Sequence, residues 1–310
     1  MTPAERASAV AFSYKNCELS AIVPSDAMVE AANGYQRGTI GLVNFVTVPE
    51  RRTQRADRKE SKNRDFGTVG LSAGSPVDSA DANSRGHEGD NRRHSADKSD
   101  ETQLRDDRIF ARCVRLIDYG WPAYGGLEEL KTIHRGLFVG AMRDAGTLRG
   151  DGDTRSWEDS EDFVVRPNSE DSCHHRRNHR PQSPYFPASL IETGAANIVS
   201  QLGEQDYFSG LDRAGFIRAL AGVYDELNAL HPFAYGNGMV LRMFASELTH
   251  AIGWDLDWGS LTFSEYRKAT DLALFEHDIS ELERMFTSII RLANPTRIFL
   301  ISGWDQGPAH

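Results

Sequence analysis

The sequence predicts an all-α fold, a helical bundle preceded by a largely disordered N-terminal region. Two observations lead there. From Arg108 nearly to the end, apolar residues recur at three- and four-residue steps, and glycines and prolines punctuate the repeats. Upstream, from Arg51 to Asp107, apolar content collapses into Arg, Asp, Ser, Gly and Asn. Such a tract buries too little apolar surface to offset its ordering entropy.

Taken in order, residues 1–50 hold scattered apolar side chains and one strand-like run, Ile40 to Val48. They form a short N-terminal region whose role the sequence leaves unread. Residues 51–107 read as a solvated linker, 108–296 as the domain, and 297–310 as a tail. Within the domain, Leu127, Leu130, Ile133, Leu137 and Ala141 make one helical stripe, expected to stop near Gly146. A long polar segment, Arg149 to Pro187, follows; Trp157 to Val165 within it has the pattern of a short exposed hairpin. Leu190, Ile191, Ala195, Ile198 and Leu202 give a second helix after the Pro187 breaker. Phe216, Leu220, Val223, Leu227 and Leu230 form the cleanest stripe, with Asp212 placed as its N-cap. Val240, Met243, Phe244, Leu248 and Ala251 form a fourth, ending at Gly253. Two more are expected at 264–276 and 279–293, the last capped by Asp278 and stopped before Pro295.

Bulk properties narrow the function. A net charge of −10 and a pI near 5.5 give nucleic acid no general attraction. Cys17, Cys113 and Cys173 lie far apart with no CxxC, which argues against a disulfide framework and fits a reducing cytoplasm. No apolar run is long enough to cross a bilayer, and the N-terminus lacks the apolar stretch of a secretory signal. Cys173, His174, His175 and His179 have a hint of metal-ligand spacing, but their Arg-rich loop offers no clear fourth ligand, so no metal site is assigned.

The chemistry concentrates in His231-Pro232-Phe233-Ala234-Tyr235-Gly236-Asn237-Gly238-Met239-Val240-Leu241-Arg242. Pro232 disfavours helical geometry at His231, so the third helix should end there. Gly236, Asn237 and Gly238 stand directly before the fourth helix. Glycines permit left-handed angles and close approach to a ligand, and amides at a helix N-terminus favour an anion. Arg242, one turn in, can offer a bidentate donor to a polyphosphate. His231 at the mouth of the same site can act as a base near neutral pH. A lone histidine at a helix end is usually a satisfied surface group, and GNG alone is usually a turn; it is their combination that points to a histidine beside a phosphate cradle.

This segment resembles the Fic signature, which runs His-Pro-Phe, any residue, Asp or Glu, Gly-Asn-Gly-Arg, two residues, Arg. The similarity extends to LEELKTIHRGLFVGAMRDAGTLR, to FIRALAGVYDELNALHPF and to FASELTHAIGWDLDW, and so covers roughly residues 110 to 292. It is closest to short bacterial members. The resemblance implies a Fic-type helical bundle that transfers AMP from ATP to a Tyr, Ser or Thr hydroxyl of a target protein whose identity the sequence does not give. His231 would take the hydroxyl proton. Asn237, with the Gly236 and Gly238 backbone, would hold the α- and β-phosphates, and Arg242 would neutralise the outer phosphates. Phe233 would plug the core beneath the loop, and His134 would be structural. The polar segment 149–187 occupies the place of the family's flap, a hairpin that registers the target chain by strand addition.

Two positions depart from the signature. The acidic residue that holds magnesium in the family is Tyr235 here, a poor ligand for a hard cation that wants carboxylate oxygens. The first signature arginine is Met239. Phosphoryl-type transfer depends on metal and cations to neutralise charge, so the departures predict slow transfer, a different donor, or a nucleotide-binding module without transfer. Asp225 and Glu226, the nearest acids before His231, are expected to face solvent. Family members are often restrained by a glutamate in a Ser/Thr-x-x-x-Glu-Gly/Asn helix; Ser84 to Gly89 fits those letters with Glu88 as the inhibitory residue. A separate small antitoxin partner, as in a toxin–antitoxin pair, is the other source of such a brake. Neither membrane nor nucleic acid is an expected partner.

Overall fold

The computed structural model describes residues 1–51, 86–122, 125–150 and 185–293. Ten α-helices and one two-stranded ladder make up these residues. They are α1 (Pro3–Glu18), α2 (Asp26–Arg37), α3 (Leu42–Val46), α4 (Gly86–Tyr119), α5 (Gly126–Phe138), α6 (Ile191–Glu204), α7 (Arg213–Leu230), α8 (Asn237–Ala251), α9 (Phe263–Glu276) and α10 (Ser280–Ile289). Strands β1 (Trp254–Leu256) and β2 (Ile290–Leu292) pair antiparallel, with Asp255 opposite Arg291.

The centre of the bundle is α8. Met239, Val240, Leu241, Met243 and Ala245 are all buried on it, and α1, α5 and α7 pack around it. This all-round burial explains why its sequence is apolar on more than one face. Helix α7 begins as its sequence predicts: the Asp212 carboxylate accepts the Gly215 N–H at 2.7 Å. Its neighbours α6 and α10 cover the stripe from Phe216 to Leu230.

Four expectations are corrected. The run Ile40 to Val48 is not a strand: Leu42 to Val46 is helical, and Phe45 is fully buried, stacked on Tyr35 and edge-on to Phe110. Leu42, Phe45 and Val46 meet the core at helical spacing. The linker boundary at 107 falls inside a helix, since α4 runs from Gly86 to Tyr119. Asp107 is fully buried there and caps α2, taking the Ser25 N–H and hydroxyl at 2.7 Å each. Charged letters in a tract can thus serve the interior when they meet helix ends. The helix bearing Leu127 to Leu137 stops at Phe138, so Ala141 lies beyond it. Finally, the last helix ends at Ile289, and residues 290–292 leave it to pair with β1. The expected cap, Asp278, stands one residue before the N-cap, which is Ile279; its carboxylate accepts the Ser280 N–H at 2.9 Å.

Residues 1–50 belong to the same core. Helix α1 opens with a capping box between Thr2 and Glu5 and buries Ala9, Val10, Ser13, Asn16 and Cys17 along one stripe. That stripe faces α4, α8 and α2. Among the described residues, no helix is long and apolar enough to cross a membrane.

Candidate active site

Helix α7 ends at Leu230, and His231 turns out of it in left-handed geometry at φ 44°. A non-glycine residue there costs free energy unless its surroundings hold it. The holder is Arg149. Its Nε donates to the His231 carbonyl at 2.5 Å, its Nη2 to the Leu230 carbonyl at 3.3 Å and also to the Phe186 carbonyl, and its backbone N–H to the Pro232 carbonyl at 3.0 Å. A buried guanidinium thus satisfies the orphan carbonyls at the C-terminus of α7, where the helix dipole favours a cation. This role is not legible from the residues alone, where Arg149 reads as the first residue of a polar segment.

The His231 imidazole stacks on Tyr185, with ring centroids 3.8 Å apart. Its Nδ1 is buried without a hydrogen-bond partner. Burial, followed by the Arg149 charge, pulls its pKa down to about 3, against an opposing pull from the Asn228 backbone. His231 is therefore neutral, and in this arrangement it is a weak base.

From Pro232 the loop is tied from beneath. Phe233 is fully buried and stacks on His134 at 4.0 Å. The Gly146 N–H donates to His134 Nδ1 at 2.7 Å, which fixes the proton on Nε2, and Nε2 donates to the Tyr235 carbonyl at 3.1 Å. Burial holds His134 at about 4, so it stays neutral and structural. Asn237 is 1% exposed, and its amide closes the loop on itself: Oδ1 accepts the Phe233 N–H at 3.0 Å and Nδ2 donates to the Phe233 carbonyl at 2.8 Å. In this arrangement its side chain braces the loop. Gly236 sits at φ 72°, and a β-carbon there would lie 2.3 Å from the Phe138 ring. The close approach that requires glycine is to Phe138, not to open space.

Helix α8 starts at Asn237 with no side-chain cap. Beneath its first turn lies Arg242, fully buried, with its guanidinium over the Tyr266 ring at 4.6 Å. Nε donates to Asn16 Oδ1 at 2.7 Å, and Nη2 to the Asn16 carbonyl at 2.9 Å and to the Ser20 hydroxyl at 2.5 Å. Instead of projecting outward as expected, this side chain is met by α1 and the residue just beyond it. Nη1 has no partner and lies beside Gly238, 3.2 Å from where a β-carbon on that residue would sit. Met239 is fully buried in the core.

Tyr235 offers no anionic oxygen: burial, then the nearby Asp144 charge, pushes its phenol up to about 12. Among the described residues no group of three or more His, Cys, Asp or Glu could hold a metal. Among the described residues of this loop, then, no carboxylate stands ready for a magnesium ion. Asp225 is half-buried and held above the usual carboxylate range by burial, correcting its placement in solvent, whereas Glu226 is exposed as expected. Glu88 lies on the backbone of α4 with its side chain outside the described residues, as do the flap residues 151–184, the 157–165 pattern and the Cys173 to His179 group.

Residues 126–249 match the Fic/DOC family model. Over 173 residues the chain is 27% identical to the probable protein adenylyltransferase Fic of Escherichia coli K12, covering 54% of this chain and 72% of that one. It is 28% identical over 179 residues to the corresponding protein of Salmonella typhimurium, covering 56% and 74%. It is also 30% identical over 162 residues to protein adenylyltransferase VbhT of Bartonella schoenbuchensis, covering 51% of this chain and 28% of that one. A motif loop braced on a helical bundle, within a segment that matches this family model, identifies residues 126–249 as a Fic domain.

Proposed function

We propose that this chain is a protein adenylyltransferase, moving AMP from ATP to a hydroxyl of a target protein. The observation that carries the reading is the unpartnered Nη1 of Arg242, buried beside Gly238 at the uncapped start of α8. A buried cationic donor left open at a helix N-terminus suits an anionic ligand. Three relatives named as adenylyltransferases supply the donor class.

In the reaction, the target oxygen attacks the α-phosphorus of ATP while His231 takes the hydroxyl proton. The bond between the α-phosphorus and the bridging oxygen breaks, and its electron pair leaves with pyrophosphate. The α8 amides and Arg242 Nη1 offset the charge that collects on the phosphates. Tyr235 supplies no carboxylate to hold a metal beside the phosphates.

The described conformation is a resting one under this reading. Tyr185 covers His231, and Asn16 and Ser20 engage Arg242. Rehydrating His231 raises its basicity, so moving Tyr185 aside both opens the site and activates the base. A second reading, a nucleotide-binding regulatory module of a toxin–antitoxin kind without transfer, draws on the neutral Tyr235 and the buried Met239.

Protein incubated with α-labelled ATP and cell lysate separates the two. Transfer predicts labelled bands that fall by about 10²- to 10⁴-fold in His231→Ala. Equal labelling by wild type and variant would sink the enzyme reading. ATP binding that persists without labelling would leave the regulatory one standing.

A further inference from the structure

A second charged site lies on the far side of α5 from the motif loop. Positions 108, 112, 115 and 119 of α4 recur at helical spacing and place Arg108, Arg112, Arg115 and Tyr119 on one face. Arg112, Arg115 and Tyr119 from that stripe, with Arg135 and Thr132 of α5 opposite and Trp121 at the end, line a groove of about 280 Å³. That is just below the size of pockets that take small organic ligands.

The charge balance of the groove is unusual for this chain. The molecule carries a net charge of −10, yet three arginines line this groove with no carboxylate among its lining residues. Arg108 has Glu50 at 3.8 Å, at the edge of an ion pair, and Arg115 reaches over the Tyr119 ring at 5.7 Å. Arg112, Arg115 and Arg135 have no ion pair among the described residues. Burial and the neighbouring Arg115 charge pull Arg112 below the ordinary arginine value, Glu50 works against this, and Arg108 adds to it. Like charges at this spacing repel, and a planar guanidinium fork matches phosphate oxygens in a bidentate way. A doubly charged phosphate between α4 and α5 would relieve the repulsion.

We propose that the α4–α5 groove is a binding site for a small phosphate-bearing ligand, held by Arg112, Arg115 and Arg135 and separate from the motif loop. The proposal stands whether or not the Fic site transfers AMP.

The test is a titration of the full chain with inorganic pyrophosphate, followed by amide NMR, with ADP and adenosine as further arms. Saturable shifts are expected at Gly136, Val139 and Gly140 and at the Trp121 indole N–H. Stronger binding of ADP than of pyrophosphate assigns a nucleoside phosphate; equal or weaker binding assigns the inorganic anion; adenosine alone should shift nothing in the groove. Arg135→Gln, at an exposed position, and the double variant Arg112→Gln/Arg135→Gln should weaken groove binding by about tenfold or more. Any shifts at Gly236 to Gly238 should remain, which separates this site from the motif site. Wild-type shifts that are absent or never saturate, or equal groove binding by Arg135→Gln, would overturn the proposal.

Discussion

The arginines inside the domain and those along the α4–α5 groove solve the same problem in opposite ways. Arg149 and Arg242 are nearly or fully buried, and each spends its donors mainly on neutral oxygens: carbonyls of His231, Leu230 and Phe186 for the first, Asn16 and Ser20 for the second. The partners described for each are neutral oxygens, and each side chain acts as a multi-donor staple between segments far apart in sequence. Arg112, Arg115 and Arg135 sit half-buried or exposed, with no ion pair among the described residues. Removing an interior guanidinium strands buried acceptors; removing a groove guanidinium relieves repulsion. Position decides which arginines brace the fold and which face a groove, and of the interior pair Arg242 keeps Nη1 open among the described residues.

The largest effect should come from Arg242→Met. It strands the Asn16 and Ser20 oxygens beneath α1 and is expected to cost about 3 kcal/mol, read as a lower urea midpoint. A loss under about 1 kcal/mol would break the staple interpretation. Arg149→Met should cost about 2 kcal/mol, since its partners are the carbonyls that close α7. It should also raise the His231 pKa, because the Arg149 charge contributes to holding it near 3. An NMR titration of the imidazole that shows no upward movement would contradict that electrostatic role.

Negative charge inside the domain is handled by protonation, which extends the comparison. Glu129 takes the Trp121 indole N–H at 3.1 Å and the Gly125 N–H at 3.0 Å, and shares a hydrogen bond with Glu247. Burial first, then Glu129, raises Glu247 from 4.5 to about 10, so it is a neutral acid at pH 7. The unfolded chain loses that proton from about 4.5 upward while the fold retains it. Stability should therefore decline as pH rises from 4.5 toward 10, with a slope bounded by about 1.4 kcal/mol per pH unit. Denaturant midpoints of Glu247→Gln should fall less steeply over that range; an unchanged slope would assign the proton elsewhere. His231 and His134 act at the other end. Both are neutral in the fold, at about 3 and 4, and protonate from 6.5 downward when unfolded, so stability is retained above 6.5 and lost as pH falls through those values. The smallest effect belongs to the groove: Arg135→Gln should change stability by no more than about 0.5 kcal/mol, and a larger loss would make it structural.

Much of this was legible in the residues. The stripes from Leu127 to Leu137 and from Phe216 to Leu230 announce helices because burial on one face imposes a 3.6-residue period. His231, Gly236 and Gly238 announce a loop before a helix through backbone chemistry that proline and glycine alone impose. What escaped were roles that no local spacing encodes. Leu42 to Val46 reads as a strand because apolar letters do not report which partner is nearby, and the partners are Tyr35 and Phe110. Asp107 reads as linker charge because its use is to cap a helix some eighty positions upstream.

The sequence by itself determined the helical class and the position of the motif loop, because these follow from local period and residue chemistry, and its resemblance to the Fic signature marks Tyr235 as standing where that signature has an acid. Only the tertiary structure decided that Asn237 braces the loop, that Arg242 is gripped by α1, that Arg149 locks the His231 turn, and that Arg112, Arg115 and Arg135 meet in one groove. Each of these depends on which distant oxygen or charge a long side chain reaches, and that is settled by the packing of helices, not by their order along the chain.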